Sequence, residues 1–308
     1  MHNQADNNMR RRTFIIVGLF LHLVTVTFGQ TDSLRQKIEQ IIRSKKADIG
    51  VAIEGFENKD TLSVNGDKHF PMQSVFKFHL ALAVLNGTDR GKFSLEQKIW
   101  IKKSDLLTNT LSPLQKKYPN GNIYLTLSDV LSFTVSQSDN NGCDILFKLI
   151  GGTKEVDSYI HDIGIKDVAI QANEEAMSKD WNIQFTNWTT PQSALQLLKN
   201  FDERKILSKK SFDFLWELMK DTSTGKNRIK GELPTGTLVA HKTGTSGTNE
   251  QGVTAAVNDI GIIILPNGNH VAICVFVSNS KEDIERNEKI IADIAKETWD
   301  YFTKKSKK

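Results

Sequence analysis

Two residues able to do chemistry stand three apart in "PMQSVFK", residues 71–77: Ser74 and Lys77. On a helix three residues is nearly one turn, so the two side chains share a face and the amine reaches the hydroxyl. Partial desolvation and a cationic neighbour each lower a lysine's pKa, and a neutral amine can take the serine's proton. The positive end of a helix would further favour negative charge near that oxygen. By itself S-x-x-K also describes a capping serine beside a snorkelling lysine. Two more triplets change its weight. "VSQSDNNG" places Ser138-Asp139-Asn140 just before a helical pattern, where Asp or Asn often serves only as a cap. "VAHKTGTSG" places Lys242-Thr243-Gly244 in a strand pattern, where glycine and small residues let a ligand approach the backbone closely. Each triplet is weak alone, and the three in this order are a strong signal.

The elements that must position these groups can be read along the chain. After Ser74, "FHLALAVLNG" is almost wholly apolar up to Asn86-Gly87, a helix C-terminus signal. A helix apolar on every side belongs in a core. Upstream lie a helical pattern, "DSLRQKIEQIIRSKK", and two strand patterns, "DIGVAIEGF" and "DTLSVNG". Downstream, "TLSDVLSFTV" is a helix with Thr126 as cap and Asp129 at its third position. "GCDILFKLIGG", "TTPQSALQLLKNF" with Thr190 capping and Pro191 at the first helical position, and "KKSFDFLWELMKD" follow as helices. Strands return in "TLVAHKTGTSG", "TAAVNDIGIIIL" and "HVAICVFVSN". The last two are joined through Pro266-Asn267-Gly268-Asn269, where Asn-Gly supplies positive φ angles. A helix from about Lys281 to Lys304 closes the chain. Strands at both ends with helices between imply an α+β fold. The expected architecture is an antiparallel sheet built from both chain ends and flanked by helices, with an all-α lobe inserted and a cleft between the lobes.

The 308 residues are 39% hydrophobic and 25% charged, ordinary for a folded protein, and suffice for one large domain or two lobes. Arg10-Arg11-Arg12 precede the apolar run "TFIIVGLFLHLVTVTFG", which ends in Thr27-Phe28-Gly29, small residues at both cleavage-site positions. This is the layout of a secretory signal peptide over residues 1–29, and the run is short for a membrane anchor. Met9 is an alternative start. Cleavage would take the formal charge from +4 to +2. The lysine-rich tail "KKSKK" reads as a solvated end, so no nucleic-acid partner is expected. Cys143 and Cys274 lie in apolar helical and strand patterns and read as free buried thiols. Histidine and cysteine spacing offers no metal site, and no cofactor loop is present.

The triplets S-x-x-K, S-D-N and K-T-G are together the signature set of class A serine β-lactamases and penicillin-binding proteins. The resemblance covers essentially the whole chain after the leader. "FPMQSVFKF", "SQSDN", "CDILFKLIGG", "ANEEAM" and "LVAHKTGTSG" are most similar to the extended-spectrum class A subgroup that includes the VEB and PER enzymes. The resemblance implies the two-lobed serine β-lactamase and penicillin-binding-protein fold, with a sheet lobe over about 30–70 and 225–308 and a helical lobe over about 71–224. It implies hydrolysis of penicillins and cephalosporins, oxyimino-cephalosporins included, by an exported, periplasmic, cofactor-free monomer with no stable membrane association.

It also implies roles. Ser74 would be the nucleophile that becomes an acyl-enzyme, and Lys77 would help deprotonate it. Ser138 would relay a proton to the departing lactam nitrogen. Asn140 would bind the substrate's side-chain amide and orient Lys77. Lys242 and Thr243 would hold the substrate carboxylate, with Gly244, Thr245 and Ser246 lining the same strand. The backbone N–H groups of Ser74 and Thr245 would form the oxyanion hole. Arg228, in "KNRIKGELP", matches an arginine that in some members reaches the carboxylate beside Lys242; a surface position is the alternative. Glu174, in "QANEEAMSKDWN", matches the base that activates water from an Ω-shaped loop, and Glu175 is the competing candidate.

The loop departs from the common class A pattern. Ala172 replaces an arginine, removing a salt bridge. Glu175 replaces a proline, so a trans bond is expected before it. Ser178 stands where an asparagine usually helps hold water. A relaxed loop beside a widened cleft is therefore expected. Two other readings share the triplets: a D,D-peptidase acting on peptidoglycan, which would lack Glu174, and a β-lactam sensor, which would need an attached signalling region.

Overall fold

The computed structural model describes residues 28–305; the leader reading lies almost wholly outside them. The described residues begin with helix α1 (Phe28–Ile42), followed by strands β1 (Asp48–Gly55) and β2 (Thr61–Val64). A helical section follows: α2 (Phe76–Asp89), α3 (Leu127–Ser136), α4 (Asn140–Ile150), α5 (Pro191–Asp202) and α6 (Lys209–Lys220). Strands β3 (Val239–Thr245), β4 (Thr254–Ile264) and β5 (His270–Ser280) return the chain to the sheet, and helix α7 (Ile284–Lys305) closes it. No helix among the described residues is long and apolar enough to cross a membrane.

The five strands pair antiparallel in the order β2-β1-β5-β4-β3, so the sheet is built from both ends of the chain as expected. Strand side chains alternate between faces, and β5 shows both being used. Ala272, Cys274 and Phe276 pack into the larger core with the helical section, whereas Val271, Ile273, Val275 and Val277 pack on α1 and α7. Burial on both faces is why β4 and β5 read as near-continuous apolar runs. The second consequence concerns β3: it is an edge strand, so one side of its backbone is unpaired within the sheet and available to the cleft.

The expected caps are in place. Thr126 accepts the Asp129 N–H while the Asp129 carboxylate accepts the Thr126 N–H. Thr190 Oγ accepts the Ser193 N–H ahead of Pro191. Two boundaries and one turn differ from expectation. Helix α2 runs past Asn86-Gly87 to Asp89, and the Arg90 N–H closes it on the Asn86 carbonyl. Gly87 is there for packing: a Cβ would lie 2.7 Å from the Phe93 ring. In the turn before β5 only Gly268 of the Asn-Gly pair takes positive φ, at 84°, and its N–H bonds to the Leu265 carbonyl. Helix α7 starts at Ile284 because Asp283 Oδ1 accepts the Arg286 N–H, a capping bond that ends the Ser280–Glu282 turn.

Candidate active site

Ser74 lies in a 3₁₀ turn (Gln73–Val75) that runs directly into α2. Every residue of α2 from Phe76 to Leu85 is buried, Lys77 included. A buried ammonium must have its hydrogens satisfied and its charge balanced. The Lys77 Nζ donates to Ser74 Oγ at 3.0 Å, to the Ser138 carbonyl at 2.8 Å and to Asn140 Oδ1 at 2.5 Å. An ammonium has three hydrogens, and all three are thereby used. Glu174 Oε1 nevertheless sits 2.8 Å from the same nitrogen. The pair is thus ionic contact without an aligned hydrogen bond, and Glu174 Oε1 is buried with no donor aimed at it.

Ser138 is held with φ at +57°, an unusual conformation for a side-chain-bearing residue, and here it presents carbonyl and hydroxyl to two different lysines. Asp139 supports it. Its carboxylate caps α4 through the Gly142 N–H and accepts the Ser112 hydroxyl and the Leu114 N–H, tying this corner to the 112–114 segment. Burial pushes the Asp139 carboxyl up, opposed by those bonds. Asn140 is pinned from its other side by donating to Thr110 Oγ1 at 2.7 Å.

Lys242, fully buried on β3, donates to Ser138 Oγ and to the Thr243 carbonyl, each at 3.0 Å. Burial, and then the Lys77 charge, hold its ammonium pKa well below the usual lysine range. Gly244 is required by approach: a Cβ would lie 2.3 Å from the Met72 carbonyl oxygen and 3.3 Å from Ser74 N. Asn258 on β4 stitches the same approach by donating to the Pro71 and Met72 carbonyls. Backbone N–H directions alternate along a strand. The Ser246 N–H bonds to the Ala256 carbonyl on β4, so the Thr245 N–H points to the open edge, towards the Ser74 turn. Ser246 itself turns its hydroxyl to the Gly247 carbonyl and the Ala256 N–H. Thr243 shares its hydroxyl with Thr224 at 2.6 Å.

Arg228 is not a surface residue; it is 4% exposed. Its guanidinium pairs with Glu288 through Nε, donates to the Gly244 and Asn258 carbonyls through Nη1, and to Thr245 Oγ1 through Nη2. Four of its five N–H groups are thus committed to the protein. What it reaches on the cleft side is the Thr245 hydroxyl.

Glu174 opens a short helical turn, Glu174–Met177, capped by Asn173 through the Ala176 N–H. Asp144 on α4 accepts the Glu174 and Glu175 N–H groups at 2.8 and 2.9 Å, one on each carboxylate oxygen. Burial raises the Asp144 carboxyl to about 6, against the pull of those bonds. The geometry separates the two glutamates: Glu174 faces Lys77, while the Glu175 side chain is 51% exposed and pairs with Lys179.

The loop is anchored, not relaxed as expected. Ala172 cannot form a salt bridge, but Asn187 replaces it: its Oδ1 accepts the Gln171 and Ala172 N–H groups and its Nδ2 donates to the Ala172 carbonyl. All peptide bonds among the described residues are trans, including the one before Glu175. Ser178 Oγ turns back to the Glu175 carbonyl rather than towards Glu174. Gln73, Asn140, Glu174, Trp181, Thr245 and Gly247 share the lining of one groove.

The sequence reading did not single out Asp144, Asn187 or Asn258, since each is a lone polar residue whose partners lie elsewhere in the chain. Their signal was available only as polar residues inside apolar or loop runs. Cys143 and Cys274 are buried and unpaired, and burial pushes both thiols up. Among the described residues no three His, Cys, Asp or Glu side chains come together to hold a metal ion.

Comparison with known proteins gives concordant matches. The profile of a family described as the beta-lactamase enzyme family matches residues 33–302. The chain is 52% identical to beta-lactamase VEB-1 of Pseudomonas aeruginosa, over 96% of this chain and 99% of that protein. It is 43% identical to the extended-spectrum beta-lactamase PER-1 of the same organism, over 91% of this chain and 90% of that one. Among solved structures, that of the TLA-3 extended-spectrum beta-lactamase superposes with a TM-score of 0.88 at 56% identity, covering 89% of this chain and 99% of that one.

Proposed function

The chain belongs to the β-lactamase enzyme family, and on that premise we propose that it hydrolyses the β-lactam amide through an acyl-enzyme on Ser74. Turning the Lys77 hydrogen that bonds Ser74 Oγ onto Glu174, 2.8 Å away, and transferring it there leaves a neutral amine 3.0 Å from Ser74 Oγ. That amine takes the Ser74 proton as the oxygen attacks the lactam carbonyl. The Ser74 and Thr245 N–H groups receive the developing oxyanion. As the C–N bond breaks, Ser138 Oγ protonates the lactam nitrogen and is resupplied from the Lys77 and Lys242 side. Glu174 returns its proton to Lys77, 2.8 Å away, and is again a carboxylate. It then takes a proton from a water that attacks the ester, while Lys77 gives a proton to the departing Ser74 oxygen and is resupplied from Glu174.

The observation that carries this reading is the position of Glu174: its Oε1 is buried 2.8 Å from Lys77 Nζ, beside Ser74, on a turn anchored by Asp144. A carboxylate so placed can take the proton of a water that attacks the Ser74 ester. Such a base also disfavours the D,D-peptidase and sensor readings, in which the acyl-enzyme persists. Lys242 and Thr243 hold the substrate carboxylate, Asn140 the side-chain amide, and Gly244 to Ser246 the β3 edge, while Arg228 acts through Thr245.

Oxyimino-cephalosporins are the proposed extended substrates, supported by the extended-spectrum names of PER-1 and TLA-3 and by the groove between Trp181 and Gly247. We further read residues 1–29 as a cleaved leader and residues 30–308 as one catalytic domain, monomeric and periplasmic. Mixing purified protein with a chromogenic cephalosporin tests the core of this. Catalytic colour release supports hydrolysis, while release that stops at one equivalent supports a trap. In a Glu174→Ala variant the adduct on Ser74 should accumulate and be seen by intact-mass measurement; full-speed turnover would reject Glu174 as the base.

A further inference from the structure

His241 and Asp259 have no part in the steps above, yet both are fully buried, His241 next to Lys242 on β3 and Asp259 on the adjacent strand β4. His241 Nδ1 lies 2.9 and 3.0 Å from the two Asp259 oxygens. A carboxylate only accepts, so Nδ1 bears the hydrogen, and His241 Nε2 is buried without a partner. Two such groups in a sheet core are expensive to keep. What they join is informative. Asp259 stands opposite Thr243 in the β3–β4 register. Its Oδ2 also accepts the Ile229 N–H at 3.2 Å. The neighbouring Arg228 reaches the Gly244 and Asn258 carbonyls and Thr245 Oγ1. The His241 carbonyl in turn accepts the Thr222 hydroxyl at 2.7 Å. The two ends of the 222–229 segment are therefore tied to β3 and β4 at this pair, Thr222 through the His241 carbonyl and Ile229 through the Asp259 carboxylate.

We propose that the buried His241–Asp259 pair positions the substrate-carboxylate subsite, locking the strand that bears Lys242, Thr243 and Thr245 to the segment that bears Arg228. This rests on the subsite assigned under the proposed function. Asp259 also contributes charge. Lys242 faces Lys77 from α2, Ser138 from the turn before α4, Glu174 from the capped loop, and Arg228 from behind; Asp259 lies on the adjacent strand. Lys77 and Arg228 lower the Lys242 ammonium pKa further, whereas Asp259 and Glu174 raise it. Asp259 acts likewise on Lys230, whose ammonium is lowered first by burial, and raises the Cys274 thiol. Neutralising Asp259 thus removes one of the groups that keep Lys242 cationic.

The test compares a cephalosporin carboxylic acid with its methyl ester in the full chain. For Asp259→Asn, kcat/KM on the acid should fall about tenfold or more, chiefly through KM, while the ester changes less than about twofold. The alkaline limb of kcat/KM on the acid should move to lower pH. His241→Asn, which keeps a donor for Asp259, should stay near wild type. Should Asp259→Asn not accumulate as folded protein, His241→Phe must show an acid-selective loss of about threefold or more. Equal losses on acid and ester, with the alkaline limb unmoved, would overturn the proposal and leave a structural pair. If the wild-type enzyme itself fails to distinguish acid from ester, the carboxylate subsite fails instead, and the two results cannot be confused.

Discussion

Asp144 holds Glu174 by the backbone: one carboxylate oxygen accepts the Glu174 N–H at 2.8 Å and the other accepts that of Glu175 at 2.9 Å. The candidate base is thus aimed by a carboxylate on a different helix. Asparagine at 144 would keep one of these bonds and set its NH₂ against the other donor. Losing one charge-assisted bond, about 1.5 kcal/mol, predicts roughly tenfold slower deacylation for Asp144→Asn. Single-turnover decay of the acyl-enzyme measures it, and an unchanged decay rate would refute the anchor. Stability gives an independent readout. Burial raises Asp144 from 3.8 to about 6 in the folded chain, so between those values the folded state holds more protons than the unfolded one. Its contribution is therefore fully present below the unfolded value and is lost as pH rises through 6. Urea unfolding should show the wild type losing stability relative to Asp144→Asn from about pH 4 to pH 6.

Gly244→Ala tests how closely β3 must approach the Ser74 turn. The new methyl would sit 2.3 Å from the Met72 carbonyl oxygen, a backbone atom that cannot swing aside. Strand and turn must separate, and the Thr245 N–H moves with the strand. Since one oxyanion donor is worth about 10²–10³ in rate, kcat should fall by about a hundredfold with acylation limiting. Pre-steady-state acylation kinetics would show it. A variant with near-normal kcat would mean that the two N–H groups do not act together.

Much of this arrangement was legible in the sequence, and the reason is physical. Ser74 and Lys77 share a helical turn, and a one-turn spacing is a local property. Thr126 with Asp129, and Thr190 with Pro191, are local for the same reason. The strand patterns of β3, β4 and β5 followed from burial on both faces. What could not be read depends on partners distant in the chain. Asp144 is 30 residues from Glu174, and Asn258 is 187 from Pro71. The exposure of Arg228 was decided by Glu288, on a helix 60 residues further on. The loop around Ala172 looked unanchored because the expected salt bridge was missing. An amide, Asn187, performs that closure with neutral hydrogen bonds, and no spacing rule points to it.

That substitution of amide for salt bridge yields a prediction of its own. Asn187 is fully buried and makes two acceptor bonds and one donor bond across the loop ends. Asn187→Ala strands those backbone groups, at about 2–4 kcal/mol, which lowers Tm by roughly 5–10 °C in a chain of this size. Asn187→Asp keeps both acceptor bonds but loses the donations to the Ala172 carbonyl and Met177 Sδ and buries a carboxylate oxygen against that carbonyl, so it should lower Tm as well. Thermal unfolding of the two variants measures both losses. If the alanine variant matches wild type in Tm and in acyl-enzyme decay, Asn187 does not close the loop.

Gly87 sets two effects of opposite sign against each other inside α2. Glycine in a helix interior costs about 1 kcal/mol relative to alanine, so propensity alone predicts that Gly87→Ala stabilises. The alanine methyl, however, would meet the Phe93 ring at 2.7 Å, and overpacking of that kind costs about 1–3 kcal/mol. Phe93 is only partly buried and packs on the edge of the helical core, so some of the strain is relieved by ring movement. The steric term should still win, leaving Gly87→Ala less stable than wild type by about 1 kcal/mol. In a Phe93→Leu background the obstacle is smaller and the sign should reverse, with Gly87→Ala now raising the urea midpoint. A destabilising effect that persists in that background would show that Gly87 serves the helix backbone and not its contact with Phe93.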